Sequence, residues 1–337
     1  MKKHILTTLL LACSLLVYSQ RITKVYYDRN WKTVKPTDTV AYYRLVKLDG
    51  KCKALDVIHD YYADGKLYCK TDGASYVDTL NDKNTKYKGT GIEYYESGDK
   101  KSKIIRNDTG AILSNIGWYE NGKLRFTEHY VSGKEEDTAV IYYTNGSIMI
   151  KQPYVNDKKT GIRRTYSEDG TLLSQTIYVN DLLNGPAKKY YEGGNLKEEA
   201  NYINDTIEGV IKYYYISGKP EAEILHLKGK MDGSYKVYYE SGVLKASYEY
   251  KAGKLNGEET EYWESKLLKR RDLYNNDSLQ NGKCYDNTGK EESYYKLYPS
   301  GPSDACAFTK AVLNNIARLK MYFFIGILLQ CKSNGNI

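Results

Sequence analysis

Proline, phenylalanine, tryptophan and histidine are all scarce in this chain, whose 337 residues hold 6 Pro, 4 Phe, 3 Trp and 4 His. So few prolines exclude long proline-rich linkers. Outside the leader the histidines are His59, His129 and His226, and no Cys or His pair has the spacing of a zinc site. There is no Gly-rich phosphate loop and no nucleophile elbow. No basic run interleaved with aromatics points to nucleic acid. The reading is therefore no catalytic residue, no metal and no cofactor. His226 stands in an aromatic column described below and His129 beside that column, so both read as sheet residues. His59 is the one that lies outside the columns.

What is abundant is tyrosine, at 37 residues. Tyrosine favours strands and joins an apolar ring to a polar tip, which suits a thin sheet with half-wet faces. Charged residues make up 27% and hydrophobic residues 41%, the balance of a folded, soluble body. Lys and Glu are interspersed, as at Lys197, Glu198 and Glu199, and read as a solvated surface.

Residues 1–20 read as a secretory signal peptide: Lys2, Lys3 and His4 precede an apolar stretch from Ile5 to Tyr18 that is short for a bilayer span. Loss of Lys2 and Lys3 takes the net charge from +8 to +6. The alternative uses Leu10-Leu11-Ala12-Cys13 as a lipobox, with the chain lipid-anchored through Cys13. Either way the expectation is an exported protein of the periplasm or outer membrane. Of 6 Cys, five lie beyond Cys13, and an oxidising compartment would allow Cys52 to pair with Cys69.

An internal repeat dominates the rest. A Tyr-Tyr-x-x-Gly motif places Gly98, Gly122, Gly146, Gly170, Gly194, Gly218 and Gly242 at steps of 24, and Lys266 takes the next place. Four residues before each stand Tyr94, Trp118, Tyr142, Tyr166, Tyr190, Tyr214, Tyr238 and Tyr262. Eight residues after the glycine come Tyr130, Tyr154, Tyr178, Tyr202, His226, Tyr250 and Tyr274, with Arg106 as the early exception. A second glycine column runs Gly161, Gly185, Gly209, Gly233 and Gly257.

One unit carries the argument. Gly233 to Tyr239 alternates, Glu240-Ser241-Gly242 turns, and Val243 to Tyr250 alternates again. Period two predicts strands, and Glu-Ser-Gly fits a three-residue hairpin loop with Gly at the position of positive φ. Tyr239 then pairs with Val243. Tyr238, Leu244, Ala246, Tyr248 and Tyr250 are expected on one face, and Lys245, Ser247 and Glu249 on the other with Tyr239. Lys251 to Gly257 is read as the turn into the next hairpin. Since one hairpin is marginal alone, neighbours must stabilise it, which predicts an all-β, elongated antiparallel meander. The tyrosine columns are either packing ladders or rings that stack on a ligand. On the second reading the binding residues are Tyr142, Tyr190, Tyr214 and Tyr238 with Tyr202 and Tyr250.

Units such as Gly185-Pro-Ala-Lys-Lys-Tyr190-Tyr191-Glu-Gly-Gly194-Asn-Leu196 resemble the MORN-repeat variant (membrane occupation and recognition nexus), over about Tyr61 to Gly289. Bacterial proteins with such arrays are often labelled YwqK-family antitoxins; a leader for export would contradict a cytoplasmic antitoxin. Pro299, Pro302, Asp304, Phe308, Asn315 and Ile316 resemble the opening of a TonB C-terminal domain, whose helix would end at Asn315-Ile316. The expected organisation is a signal peptide at 1–20, a capping region at 21–56, the hairpin array at 57–290, and a degenerate TonB-like segment with a short helix at 291–337. The expected function is an exported repeat scaffold for a protein, glycan or lipid partner in the cell envelope, with peripheral membrane association. The alternative is a remnant of a TonB-type energy-transduction protein that engages outer-membrane receptors.

Overall fold

The computed structural model describes residues 22–49 and 51–292. These are all-β: twenty-six strands and one short 3-10 turn, Asp82–Asn84. The expected signal peptide, Cys13, the expected TonB-like stretch and its helix lie outside the described residues. Of the segment 291–337 only Glu291–Glu292 is described, as a short strand paired with Ser278–Tyr285. The described residues form two compact units that divide between Thr206 and Ile207.

In the first unit the strands Ile22–Tyr27, Tyr42–Lys47, Ile58–Tyr62, Leu67–Tyr76 and Lys86–Tyr94 pair in turn, each antiparallel to the next. Hairpins continue through Lys100–Arg106, Ile112–Trp118, Leu124–Val131 and Lys134–Tyr142 up to Leu196–Ile203. In the second unit Gly209–Tyr214, Pro220–Leu227, Lys230–Tyr238, Leu244–Lys251, Lys254–Tyr262, Leu268–Asn275 and Ser278–Tyr285 do the same. Sequence neighbours pair because short turns join them, which is the topology period-two patterning implies.

Two kinds of turn alternate. At Glu240-Ser241-Gly242 the Tyr239 amide donates to Val243 O at 2.8 Å, and the Gly242 amide to Tyr239 O at 2.8 Å. Gly242 has φ +87°, so the three-residue loop closes as the motif implies. Lys266 takes the same left-handed position at φ +69°. The other turn differs from the expected seven-residue connection. It is a tight pair: Ala252 and Gly253 have φ +51° and +88°, and Lys254–Tyr262 begins directly after. Asn156-Asp157, Asn180-Asp181, Asn204-Asp205 and Asn276-Asp277 take the same double left-handed form. Asn and Asp tolerate that region because their short polar side chains bond locally.

A bulge follows. At every repeat the register shifts immediately before the aromatic four residues ahead of the turn glycine, for example between Val237 and Tyr238. Val237 opposes Ala246 and Tyr238 opposes Leu244, so one residue of the partner strand is extra. Tyr238 therefore does not share a face with Tyr248 and Tyr250. Its hydroxyl lies 3.4 Å from Glu223 Oε2, and Glu223 is the cross-strand partner of Lys236. Lys245 does lie against Tyr239, its ammonium 5.5 Å from the ring centroid.

Each unit has its own core. In the second, Ala222, Ile224, Tyr235, Ala246, Tyr248, Tyr250, Leu255 and Tyr274 are buried together. The Tyr235 and Tyr248 rings are cross-strand partners stacked at 5.1 Å. Such a pair contributes about 0.2–1 kcal/mol beyond Ala–Ala. In the first unit Val46, Ala54, Ile58, Ala74 and Val77 form a cluster near the beginning of the array. Cys52, Cys69 and Cys284 are free thiols, so Cys52 and Cys69 are not joined. Cys52 sits in a turn whose carbonyl accepts from the Val77 amide, whereas Cys69 Sγ lies 3.7 Å from Thr71 Oγ1 on its own strand.

Candidate interaction face

Side chains alternate between the faces of a strand, so the registers assign each column to one side. One face holds the buried residues of each hairpin: Ala187, Ala200 and Tyr202 in the first unit, and Tyr235, Ala246, Tyr248 and Tyr250 in the second. The opposite face, called outer here, carries the aromatics that follow the bulge. The six candidate tyrosines thus divide. Tyr142, Tyr190, Tyr214 and Tyr238 are half-buried on the outer face. Tyr202 and Tyr250 are buried on the inner face, 4% and 6% exposed. Burial raises the Tyr250 phenol to about 12 and shifts that of Tyr202 upward too. His226 takes the same inner place and is buried, with Nδ1 3.3 Å from Ile224 O.

The outer face is built from rows that run across the strands. Beside the tyrosines lies a charged row in which Lys188 opposes Glu199 and Lys212 opposes Glu223. Its margin, next to the two-residue turns, is aliphatic. Val131, Val155, Val179 and Ile203 in the first unit are all exposed, Val131 at 61% and Ile203 at 50%. Leu227 holds the equivalent place in the second unit. Each of these is the last strand residue before a turn, and its β-branched or γ-branched side chain projects away from the core. A recurring exposed aliphatic side chain is not demanded by the fold, since Lys251 and Asn275 occupy the same position in later repeats.

Two sets of bonds hold this face in register. The second tyrosine of the motif reaches forward one repeat. Tyr95, Tyr119 and Tyr143 donate to the carbonyls of Trp118, Tyr142 and Tyr166 at 2.8, 2.6 and 2.8 Å. Tyr215 and Tyr239 do the same to Tyr238 and Tyr262. At the opposite turns an aspartate reaches back. Asp157, Asp181 and Asp205 accept from the amides of Glu135, Lys159 and Leu183 at 2.6, 2.9 and 2.6 Å. Asp277 accepts from Leu255 at 2.7 Å.

Five segments match the MORN repeat variant: residues 116–132, 138–156, 159–180, 183–204 and 231–252. The longer MORN segments each comprise one hairpin around its three-residue loop, from one two-residue turn towards the next. No curated protein matches the chain in sequence. Among solved structures it is similar to a crystal structure of TcdB2-TccC3-Cdc42 at 12% identity and a TM-score of 0.18, over 77% of this chain and 15% of that one. A structure of TcdB2-TccC3 without its hypervariable C-terminal region matches at 13% identity and a TM-score of 0.17, over 75% of this chain and 17% of that one. The chain thus spans less than a fifth of either.

Burial holds the Cys69 thiol up at about 12 and the Cys284 thiol at about 11, so both stay protonated at neutral pH. Among the described residues no group of three or more His, Cys, Asp or Glu could hold a metal ion. The two bonded ladders were not among the columns singled out in sequence. The second Tyr of each Tyr-Tyr pair and the Asp of each Asn-Asp pair repeat at 24 and carry that signal.

Proposed function

We propose that the chain is an exported, non-catalytic scaffold that binds a protein of the cell envelope on its outer face. MORN repeats are often protein- or membrane-binding, and five segments here match that repeat. The observation that carries the proposal is the exposed margin of Val131, Val155, Val179 and Ile203 beside the row of half-buried tyrosines. Burial of such side chains against a partner contributes about 25 cal/mol per Å². Tyrosine beside aliphatics, rimmed by paired charges, is the composition of a protein interface. A membrane surface calls instead for an excess of basic residues, whereas here lysines oppose glutamates.

The test is capture from an envelope extract by the wild-type chain and by a triple variant, Val155→Lys, Val179→Lys and Ile203→Lys. These positions are exposed, so the fold is retained. Proteins held by the wild type should be lost from the variant. Equal capture by both, or cosedimentation of the wild type with vesicles and no captured protein, would overturn the proposal.

A further inference from the structure

The third hairpin of the second unit breaks the apolar pattern of that unit's core. In the first hairpin Ile211 opposes Ile224 and Tyr213 opposes Ala222. In the second, Tyr235 opposes Tyr248 and Val237 opposes Ala246. One step of 24 further on, the same places hold Glu259 opposite Asp272 and Glu261 opposite Arg270. All four are buried, none more than 3% exposed. The fold does not ask for charge there, since apolar side chains fill the same register twice before. Nor does stability, because a buried ion cluster is commonly no better than hydrocarbon of the same volume.

The charges do not balance. Glu261 has Lys269, whose ammonium lies 3.2 Å from Oε1. Glu259 and Asp272 are left with one guanidinium: Arg270 Nη2 binds Glu259 Oε1, and Nη1 lies 3.5 Å from Asp272 Oδ2. Three carboxylates thus face two cations. Glu259 and Asp272 also stand directly opposite on one face, where Cβ atoms are about 4.5–5.5 Å apart and like charges repel. A second, independent sign is Glu259 Oε2, which is buried with no hydrogen-bond partner among the described residues.

The neighbouring strands supply no further cation. From Leu244–Lys251, Tyr248 stands opposite Glu259, with Tyr250 further along. Burial, then Tyr235 and Glu261, keeps the Tyr248 phenol above its ordinary value, and burial pushes Tyr250 up to about 12. On the strand of Asp272 itself Tyr274 follows, also a phenol. From Ser278–Tyr285, Gly282 opposes Asp272, and Cys284, held up at about 11, opposes Arg270. Glu292 opposes Cys284 and adds another carboxylate.

One proton removes the surplus charge and gives Glu259 Oε2 an O–H···O bond to the carboxyl across the strand. We propose that Glu259 and Asp272 share a proton, and that this proton locks the hairpin Lys254–Asn275 against its neighbours. The sign follows from linkage. A proton that the closed chain holds more tightly stabilises it fully below about pH 4, and the stabilisation is lost as pH rises through the midpoint of the pair. Above that midpoint the two carboxylates repel, the hairpin loosens, and Cys284 beside it, which is fully buried, becomes accessible. The proposal is independent of the outer face.

The test uses the full chain with Glu135→Gln throughout, which removes the other carboxyl expected to titrate near 7. Carbon NMR of carboxyl-labelled glutamate and aspartate should show one midpoint above about pH 6, against about 4 for an ordinary carboxyl. Glu259→Gln, whose amide donates where the shared proton would, should remove that midpoint, and so should Asp272→Asn. Cys284 reads the lock through its labelling by dithiodipyridine, which reacts in acid as well, located by mass spectrometry. The labelling rate relative to Glu259→Gln should rise at least about tenfold between about pH 4.5 and about pH 8. The proposal is overturned if every carboxyl titrates below about pH 5, if the high midpoint survives both substitutions, or if the labelling ratio is the same at both pH values. The carboxyl titration needs no substitution in the cluster, so it decides even where a variant fails to fold.

Discussion

The Tyr239 hydroxyl donates a 2.9 Å hydrogen bond to the main-chain carbonyl of Tyr262, in the equivalent place of the next repeat. Tyr262 is a bulge aromatic whose pairing has just shifted register, so its carbonyl sits where the ladder is interrupted. The bond ties one hairpin to the next at the point where backbone pairing is weakest. Tyr239→Phe keeps the ring and removes only the hydroxyl. It should cost about 1 kcal/mol, read as a lower urea midpoint at unchanged slope.

Asp277 does two jobs at once: it holds φ +68° in its turn and accepts from the Leu255 amide at 2.7 Å. Two variants separate them. Asp277→Gly loses the staple but relieves the left-handed Cβ, so it should cost less than about 1 kcal/mol. Asp277→Ala loses the staple and keeps a Cβ in the left-handed region without the local bonds of an aspartate, and should cost about 1–2 kcal/mol more than the glycine variant. Gly229 and Gly253 already stand at that place in earlier repeats. Equal unfolding energies for the two variants would contradict the assignment of a strained backbone there.

Gly242 and Gly257, one from each glycine column, are expected to respond differently to alanine. Gly242 has φ +87° with nothing within 4 Å of an added Cβ, so Gly242→Ala should cost only the backbone strain, about 1–2 kcal/mol. Gly257 has φ +129°, and an added Cβ would stand 2.8 Å from Glu249 Cβ, an atom that cannot move without its strand. Gly257→Ala should cost about 1–3 kcal/mol beyond Gly242→Ala, measured by thermal melting.

Glu135 predicts a pH dependence. Burial, then the nearby carboxylates of Glu128 and Asp157, raise it from 4.5 to about 7. A folded value above the unfolded one means that the folded chain holds this proton more tightly. The stabilisation is complete below about pH 4.5 and is lost as pH rises through about 7. Glu135→Gln should therefore match the wild type at pH 4 and exceed it at pH 8. With solvent screening of a half-buried group, the gain is about 1–2 kcal/mol. Melting curves at the two pH values check both sign and window.

The repeat was legible because its signals are local. The glycine at positive φ, the alternation on either side of it and the 24-residue step each follow from steric rules within one hairpin. The loop at Gly242 and the pairing of Tyr239 with Val243 accordingly stand as read. The face of Tyr238 was not legible. A bulge of one residue reverses a side chain, and no residue type announces it. The connection from Lys251 to Gly257 was read as one long turn because Gly253 and Gly257 both suggest a loop. The structure gives the turn to Ala252-Gly253 and leaves Gly257 within the strand.

The sequence by itself determined an all-β chain of hairpins, the position of each three-residue loop and the spacing of its aromatics, since these depend on backbone sterics and on periods of 2 and 24 residues. Tertiary structure alone decided which tyrosines are buried and which face out, because that depends on registers between strands. It alone brought Arg44 to Asp60 and Asp82, and Arg106 over Tyr87, across separations that no local pattern records. Buried charge and cavity walls come from the summed approach of several strands, and only the packed chain contains that information.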